Sequence, residues 1–218
     1  MIQKTLCLLA LAGTPLPAGA CSLALALTVD VSASISPTEY SLQMNGLADA
    51  LEDPEVMHAF VSSDAVVSLV QWTGAGRQQV SLPWRTIESE ADLAEFSATV
   101  RATPRAWSVF STAIGEALLF TGTTFDAVSH CERYVIDVSG DGLSNEGQDV
   151  RVARDLVVSS GVTINGLAIE TSIRFLSRYY ESHVVGGPGA FVETAANYDD
   201  YGRAIRRKLL AEIVQPAF

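Results

Sequence analysis

Residues 21–34 of this chain read CSLALALTVDVSAS, an apolar run that ends in an acidic turn rich in hydroxyl groups. The continuous apolar segment Leu23–Asp30 is typical of a strand that is buried on both faces. A strand of this kind lies inside a parallel sheet that has helices on either side. The stretch therefore predicts an α/β protein and places a polar turn at the carboxyl end of its first strand.

Strand-like and helix-like segments alternate along the rest of the chain. Ser36, Pro37 and Glu39 form a capping box with proline at the first helical position, so they predict a helix, which stops before Pro54. Further strands are predicted at residues 65–72, 78–84, 134–138, 162–169 and 190–194. Further helices are predicted at residues 90–99, 112–120, 148–159, 174–183 and 198–213. This alternation indicates a doubly wound, mainly parallel sheet, with an antiparallel edge strand at 78–84.

The composition suits a single folded domain with a cationic ligand. The chain has 218 residues, of which 48% are hydrophobic and 18% are charged. This is enough apolar material for a core and too little charge for a disordered chain. The formal net charge is −11, so nucleic acid and anionic membrane surfaces repel the chain. A metal ion is the ligand class that this charge favours.

Residues 1–20 are predicted to be a secretion signal. Lys4 supplies the positive start, residues 6–12 form a short apolar stretch, and Ala18-Gly19-Ala20 has the small-residue pattern of a cleavage site. Prolines between the last two features would break a membrane-spanning helix. We therefore expect an exported protein, periplasmic or extracellular, with no integral membrane span in the mature chain.

The predicted mature domain, residues 21–218, holds two cysteines, Cys21 and Cys131, because removal of the signal also removes Cys7. An even number of cysteines in an exported protein suits a disulfide bond. A lipid anchor on Cys21 is a second interpretation, although Ala18 stands where lipoproteins usually have a leucine. The sequence leaves both open.

The residues with metal-binding chemistry lie on three segments of the chain. Asp30, Ser32 and Ser34 follow the first strand, and Asp141 lies in a glycine-flanked turn after a later buried strand. Thr112 opens a predicted helix between them. In sheets of this kind ligands bind beyond the carboxyl ends of the strands, so these side chains are expected to meet there.

Carboxylates and hydroxyls make a set of hard oxygen ligands. Such a set suits Mg²⁺, Mn²⁺ or Ca²⁺ and does not suit zinc or copper, which favour nitrogen and sulfur. With Asp30 and Asp141 as the only charged ligands, a bound divalent ion retains affinity for another anion. We therefore predict one divalent cation, with Mg²⁺ as the first choice, that serves as a docking point for an acidic group.

The pattern of an Asp-x-Ser-x-Ser turn, a threonine that opens a helix and an aspartate-glycine pair resembles the metal-ion-dependent adhesion site of von Willebrand factor type A domains. Its five positions are matched by Asp30, Ser32, Ser34, Thr112 and Asp141. The resemblance covers nearly all of the predicted mature chain. It implies that the hydroxyls coordinate the ion, that the aspartates bind it directly or through water, and that an acidic side chain of a partner takes the open position.

The resemblance also implies a six-stranded sheet in the order 3-2-1-4-5-6 with the third strand antiparallel. Residues 136–142, 183–191 and 204–209 are similar to a bacterial group of secreted type A-like proteins with no assigned activity. In the implied order the first and fourth strands are neighbours, so Cys21 and Cys131 lie at the same level, opposite the metal end. A Cys21–Cys131 disulfide is therefore predicted, with two free buried thiols as the alternative.

Two charged features outside the motif have further interpretations. Asp137 lies inside a buried strand on the same side as Asp141, and it is either a group beneath the metal or a structural acid bonded to loop amides. The basic cluster within residues 203–208 is predicted to be the solvated face of the last helix.

The function predicted from these features is that of an exported, non-enzymatic module that uses one divalent cation to bind an acidic group on a partner. A metal-dependent phosphohydrolase with an aspartate nucleophile is the alternative, because such enzymes also place an aspartate at the end of a first parallel strand. They require a second acid two residues later, where this chain has Ser32. They also require a lysine, which the mature chain offers only at Lys208. We therefore expect no catalytic residue.

Overall fold

A six-stranded sheet forms the centre of the computed structural model, which describes residues 21–214. The predicted signal peptide, residues 1–20, lies outside the described residues. The strands are β1 (Cys21–Asp30), β2 (Ala65–Trp72), β3 (Gln78–Thr86), β4 (Cys131–Gly140), β5 (Val162–Ile169) and β6 (Val192–Ala195). Their order is β3-β2-β1-β4-β5-β6, and β3 alone pairs antiparallel. The predicted doubly wound sheet and its strand order are confirmed.

Seven α-helices cover the two faces of the sheet within the described residues. They are α1 (Pro37–Leu51), α2 (Pro54–Ser62), α3 (Glu90–Ala102), α4 (Ile114–Thr124), α5 (Val150–Ser159), α6 (Leu176–Tyr179) and α7 (Tyr201–Val214). Apolar side chains of α1, α2, α3 and α7 pack on one face, and those of α4, α5 and α6 pack on the other. Each face therefore has its own core, as a sheet buried on both sides requires. None of these helices is long and apolar enough to cross a membrane.

Two helical regions differ from the prediction for local reasons. The first predicted helix, α1, stops before Pro54 as expected, but Pro54 then takes the first position of α2, a helix that was not predicted and that the Asp53 side chain caps. The helix predicted at 174–183 is shorter and less regular than expected. It consists of α6 followed by a π-helical turn over Tyr180–Val184, and it is preceded by Phe175 in the left-handed conformation.

The central strands β1 and β4 are paired in register from one edge of the sheet to the other. Cys21 is opposite Cys131, and Val29 is opposite Ser139. Both strands are parallel, so the polar turns that follow them leave the sheet at the same edge. We call this side of the sheet, at which the parallel strands end, the carboxyl edge, and the term does not refer to the outermost strands. The carboxyl edge holds the predicted metal ligands, and the cysteines lie at the opposite edge.

Cys21 and Cys131 form a disulfide bond, with their Cα atoms 4.4 Å apart. The pairing implied by the strand order is therefore confirmed, and the Cys21 sulfur is not available for a lipid anchor. Ligand atoms of His130 and of the two cysteines lie within 4.8 Å of one another. A metal site requires cysteine thiolates, and these two sulfurs are joined in a disulfide instead. The two cysteines therefore serve as a cross-link and not as metal ligands.

Replacing both cysteines with serine is expected to destabilise the domain, because the bond joins residues separated by 110 positions. The chain-entropy estimate for a loop of this length is about 4–5 kcal/mol, which is an upper value. Urea unfolding of Cys21→Ser/Cys131→Ser beside the wild-type protein measures the difference. Reductant should destabilise the wild-type protein alone, and a loss below about 1 kcal/mol would contradict a structural role for the bond.

Lys208 lies in the interior between α7 and the sheet, so the prediction that it belongs to a solvated face is wrong. Its side chain is fully buried, and Nζ lies 2.8 Å from Asp137 Oδ1 and 2.5 Å from Glu212 Oε1. The arginines of the same cluster form ion pairs with more exposed carboxylates. Lys208 is buried because a strand and the next turn of its own helix supply carboxylates that neutralise it.

Asp137 is a structural acid, and its partner is Lys208 rather than loop amides. Asn165 Nδ2 donates to Glu212 Oε1 over 2.9 Å, and Arg133 donates to the main-chain carbonyl of Glu212 over 3.0 Å. Burial, followed by the charge of Asp137, raises the pKa of Glu212 to about 8. This cluster of Asp137, Lys208, Glu212 and Asn165 ties α7 to β4 and β5.

The raised pKa of Glu212 predicts that the domain loses stability as pH rises. The pKa of Glu212 in the folded chain, about 8, exceeds its ordinary value of 4.5. The unfolded chain therefore releases this proton first, and the free energy of unfolding falls between about pH 4.5 and 8. Glu212→Gln retains an oxygen that accepts from Asn165 and Lys208 but removes the titration.

Urea unfolding at several pH values should therefore give a flatter profile for Glu212→Gln than for the wild-type protein. Glu90→Gln, at an exposed position of α3, is the matched control and should follow the wild-type profile. Parallel profiles for Glu212→Gln and the wild-type protein would contradict this assignment of the titrating group.

Candidate metal centre

The structure brings the five predicted metal ligands together at the carboxyl edge of the sheet. Asp30 is the last residue of β1, and Asp141 follows β4 directly. Ser32 and Ser34 lie in the turn after β1, and Thr112 lies two residues before α4. Ser34 is the exposed member of this set, and the other four side chains are buried. The site thus has a buried floor and one side open to solvent.

A chain of contacts between hydroxyl groups links these side chains. Thr112 Oγ1 donates to Ser32 Oγ over 3.3 Å, and Ser32 Oγ lies 3.2 Å from Ser34 Oγ. Ser34 Oγ in turn donates to Asp141 Oδ1 over 2.7 Å. Asp30 Oδ1 accepts from the backbone amide of Ser32 over 2.7 Å. Oxygen atoms from three separate segments of the chain therefore converge on one small region.

The turn after β1 is held by contacts from two other elements. The backbone amide of Ala33 donates to the carbonyl of Phe110 over 2.9 Å, and Arg105 Nη2 donates to the carbonyl of Ser32 over 2.7 Å. On the other side, Gln43 Nε2 of α1 donates to the carbonyl of Asp30 over 3.1 Å. These bonds fix the turn against α1 and against the segment that leads to Thr112.

Asn145 and Glu116 hold the loop after β4, and sequence reasoning assigned neither of them this role. Asn145 Oδ1 accepts from the amide of Thr112 over 3.0 Å, and the amide of Asn145 donates to the Thr112 carbonyl over 2.9 Å. Glu116 Oε1 accepts from the amide of Gln148 over 2.8 Å. Gly147 has φ 81°, and a Cβ there would lie 1.9 Å from the Glu116 carboxylate. These contacts join residues distant in sequence, so no local spacing indicates them.

Asp30 and Asp141 form a pair of buried carboxylates at this site. Asp30 Oδ2 has no hydrogen-bond partner among the described residues. Burial, followed by the charge of Asp141, raises the pKa of Asp30 to about 7. Burial also raises the pKa of Asp141, while hydrogen bonds to its carboxylate act in the opposite direction. Two buried carboxylates that disfavour ionisation of each other make a site with a strong demand for a cation.

Two buried tyrosine hydroxyls face the same region, and sequence reasoning did not assign them to the site. Within residues 21–214, the hydroxyl of Tyr180 has no hydrogen-bond partner, and the hydroxyl of Tyr198 lies beside the Asp141 carboxylate. Burial and the charges of Asp30 and Asp141 raise the pKa of both tyrosines. A Cβ at Gly140 would lie 2.8 Å from the Tyr180 hydroxyl and 2.9 Å from Asp30 Oδ2, so the close approach requires glycine. Unpartnered oxygens around two carboxylates fit a hydrated divalent cation.

The fold belongs to the von Willebrand factor type A class, as the resemblance implied. The structure of von Willebrand factor type A from Catenulispora acidiphila matches with a TM-score of 0.61 and 14% identity, over 88% of this chain and 43% of that one. Proximal thread matrix protein 1 from the mussel byssus matches with a TM-score of 0.62 and 17% identity. BatB from Bacteroides thetaiotaomicron matches with a TM-score of 0.55 and 16% identity, over 89% of this chain and all of that one.

The mussel protein is longer than this chain. The match covers 88% of this chain and 46% of the mussel protein, so this chain spans about half the length of that relative. One structure of the mussel protein has a zinc-occupied MIDAS motif, the abbreviation for the metal-ion-dependent adhesion site. At this level of identity the likeness establishes the fold alone.

The chain belongs to the family described as Protein of unknown function (DUF1194), whose model matches residues 20–217. No curated protein matches the chain. The family assignment therefore covers the whole domain without giving an activity. What the site does has to be inferred from its own residues.

Asp30→Asn is expected to stabilise the metal-free protein, because it removes a buried charge beside Asp141 and retains an oxygen that accepts from the Ser32 amide. The expected gain at about pH 8 is about 1 kcal/mol, or about 2–4 °C in melting temperature. Thermal unfolding in the presence of a chelator measures it. Asp126→Asn, at an exposed position, is the control. A lower melting temperature for Asp30→Asn would contradict the mutual repulsion of the two carboxylates.

Proposed function

We propose that this protein is an exported, non-enzymatic binding module that holds one divalent cation and uses it to bind an acidic group of a partner protein. The residues that would hold the cation are Asp30, Ser32, Ser34, Thr112 and Asp141. The observation that supports this most strongly is the convergence of two buried carboxylates and three hydroxyls, with Asp30 Oδ2 left without a partner.

A bound cation would supply a positive charge that a further carboxylate can neutralise. The proposed ligands carry only the charges of Asp30 and Asp141, and each is held by contacts within the protein. Ser34 is exposed, so a partner would approach from its side. Hard oxygen ligands favour Mg²⁺, with Mn²⁺ and Ca²⁺ as the next choices. Because the MIDAS of the mussel relative holds zinc, zinc belongs in any comparison of ions.

The residues give less support to a phosphohydrolase. Ser32 stands at the position where such an enzyme has its general acid, and a hydroxyl of this kind is not an effective acid at neutral pH. Lys208, the lysine of the predicted mature chain, is engaged with Asp137 and Glu212. The arrangement therefore favours a module that binds over one that hydrolyses.

Export is proposed from the pattern of residues 1–20. The Cys21–Cys131 disulfide supports it, because such bonds form and persist in oxidising compartments. The same bond argues for a soluble mature chain rather than one held by a lipid on Cys21. The proposed location is the periplasm or the extracellular space.

Thermal unfolding of the chelator-treated protein, titrated with Mg²⁺, Mn²⁺, Ca²⁺ and Zn²⁺, tests the metal centre. A ligand that binds only the folded state adds about 2.7 kcal/mol of stability at one hundred times its dissociation constant. We expect the melting temperature to rise with at least one of the first three ions. We expect no such rise in Asp141→Ala.

Asp126→Ala, at an exposed position of the opposite edge, is the matched control and should respond as the wild-type protein does. No response of the wild-type protein to any ion would overturn the proposed function. An equal response in Asp141→Ala would place the ion elsewhere.

A further inference from the structure

The arginines of this chain differ in whether they form an ion pair with a carboxylate. Most of them form ion pairs with carboxylates, and these are Arg85, Arg101, Arg151, Arg154, Arg203, Arg206 and Arg207. Within residues 21–214, Arg133 forms no ion pair and donates instead to main-chain carbonyls of α7. Four more arginines have no ion pair with any described residue, and all four lie at the carboxyl edge: Arg77, Arg105, Arg174 and Arg178. We call these four the edge arginines.

Separate segments place the edge arginines around the metal centre. Arg77 lies between β2 and β3, with its guanidinium 3.7 Å from the centre of the Phe110 ring. Arg105 donates to two main-chain carbonyls of the turn after β1. Arg174 and Arg178 lie in the segment that follows β5. The positive charges therefore come from both sides of the site.

In the part of the chain that the structure describes, carboxylates on the neighbouring loops form no ion pair with the edge arginines, although hydrogen bonds from Ser177, together with the charge of Arg178, lower the pKa of Glu170. Four of these carboxylates accept hydrogen bonds from main-chain amides instead, and they belong to Glu39, Glu146, Asp149 and Glu170. Asp199 lies beyond β6, next to the start of α7. A chain with a net charge of −11 thus keeps guanidinium groups without ion pairs around the site proposed to bind an acidic partner.

Three exposed apolar side chains lie on loops of the same edge. Val109 is 74% exposed, Phe175 is 61% exposed and Leu143 is 42% exposed. Phe175 has φ 62°, a conformation that is unfavourable for a bulky residue, and its ring lies 4.8 Å from the Arg178 guanidinium. Backbone strain of this kind is found most often at active sites, ligand-binding segments and switch regions.

We propose that the edge arginines and these three apolar side chains form a recognition rim, and that the rim fits a protein segment in which carboxylates alternate with apolar residues. One carboxylate of the segment would bind the cation, and others would pair with the edge arginines. This inference rests on the proposed function for the cation contact and adds the features that select the partner. Because the chain as a whole repels an acidic partner, local positive charge beside the metal is needed to hold one.

Fluorescence anisotropy with three labelled peptides tests the rim. The peptides have alternating Asp and Leu, alternating Asp and Ser, and alternating Lys and Leu, and they are added to the full chain saturated with Mg²⁺. The rim predicts that the Asp–Leu peptide binds most tightly, that the Asp–Ser peptide binds more weakly, and that the Lys–Leu peptide does not bind. Added salt should weaken binding, because exposed charge pairs are screened.

Two variants separate the charges from the apolar contacts. Arg174→Ala/Arg178→Ala should weaken binding of the Asp–Leu peptide by about tenfold or more. Phe175→Asn removes the ring but keeps a residue that tolerates positive φ, so it should fold and lose the preference for Asp–Leu over Asp–Ser. Arg85→Ala, near the opposite edge, and Leu156→Asn, on α5, are the matched controls and should bind normally.

The outcomes distinguish this inference from the proposed function. Binding that requires Mg²⁺ but is unaffected by Arg174→Ala/Arg178→Ala and by Phe175→Asn would overturn the rim and leave the metal centre standing. Binding that is lost in these variants but persists with chelator and in Asp141→Ala would support the rim and count against the metal contact. The rim would be overturned if neither acidic peptide bound. It would also be overturned if an oligothymidine, whose negative charges are phosphates, bound as tightly as the Asp–Leu peptide.

Discussion

The parallel pairing of β1 with β4 in one fixed register is the constraint on which the rest of the structure depends. It sets Cys21 against Cys131 at one edge, Leu27 against Asp137 in the middle and Val29 against Ser139 near the other edge. A shift by one residue would turn every side chain of the shifted strand to the opposite face of the sheet. It would also separate the cysteines and displace the two acidic turns relative to each other. The cross-link and the candidate metal centre therefore depend on the same pairing.

The buried carboxylates of residues 21–214 form two pairs, which differ in the source of the positive charge that balances them. Asp137 and Glu212 enclose Lys208, so the protein supplies its own cation to that pair. Asp30 and Asp141 receive hydrogen bonds from the amide of Ser32 and the hydroxyl of Ser34, and among the described residues no basic side chain forms an ion pair with them. Buried carboxylates need a counter-charge. A cation from solution meets this need at the edge, where a lysine would close the site to a partner.

The distribution of positive charge follows the same division between structure and recognition. Most of the other arginines form ion pairs with carboxylates at the surface, as Arg85 does with Asp92 and Glu95. Such surface pairs contribute little to the free energy of unfolding, but they reduce the repulsion between like charges on a compact acidic domain. The edge arginines form no ion pair within the described residues, and the exposed Phe175, which has a positive φ, lies beside Arg178. A domain with a strong net negative charge can bind an acidic partner only at a place where positive charge is locally concentrated.

The sequence by itself determined most of the elements and the placement of the predicted ligands, because these depend on local patterns. The apolar run Leu23–Asp30, the capping box after it and the spacing of the hydroxyl-rich turn are all read within a few residues. Whether the five ligands bind a metal stays a prediction. The burial of Lys208 and the bonds of Asn145 to Thr112 were decided only by tertiary structure, since they join residues far apart in the chain. Periodicity reports which face of an element is apolar, and it carries no information about which distant charge or amide meets that face.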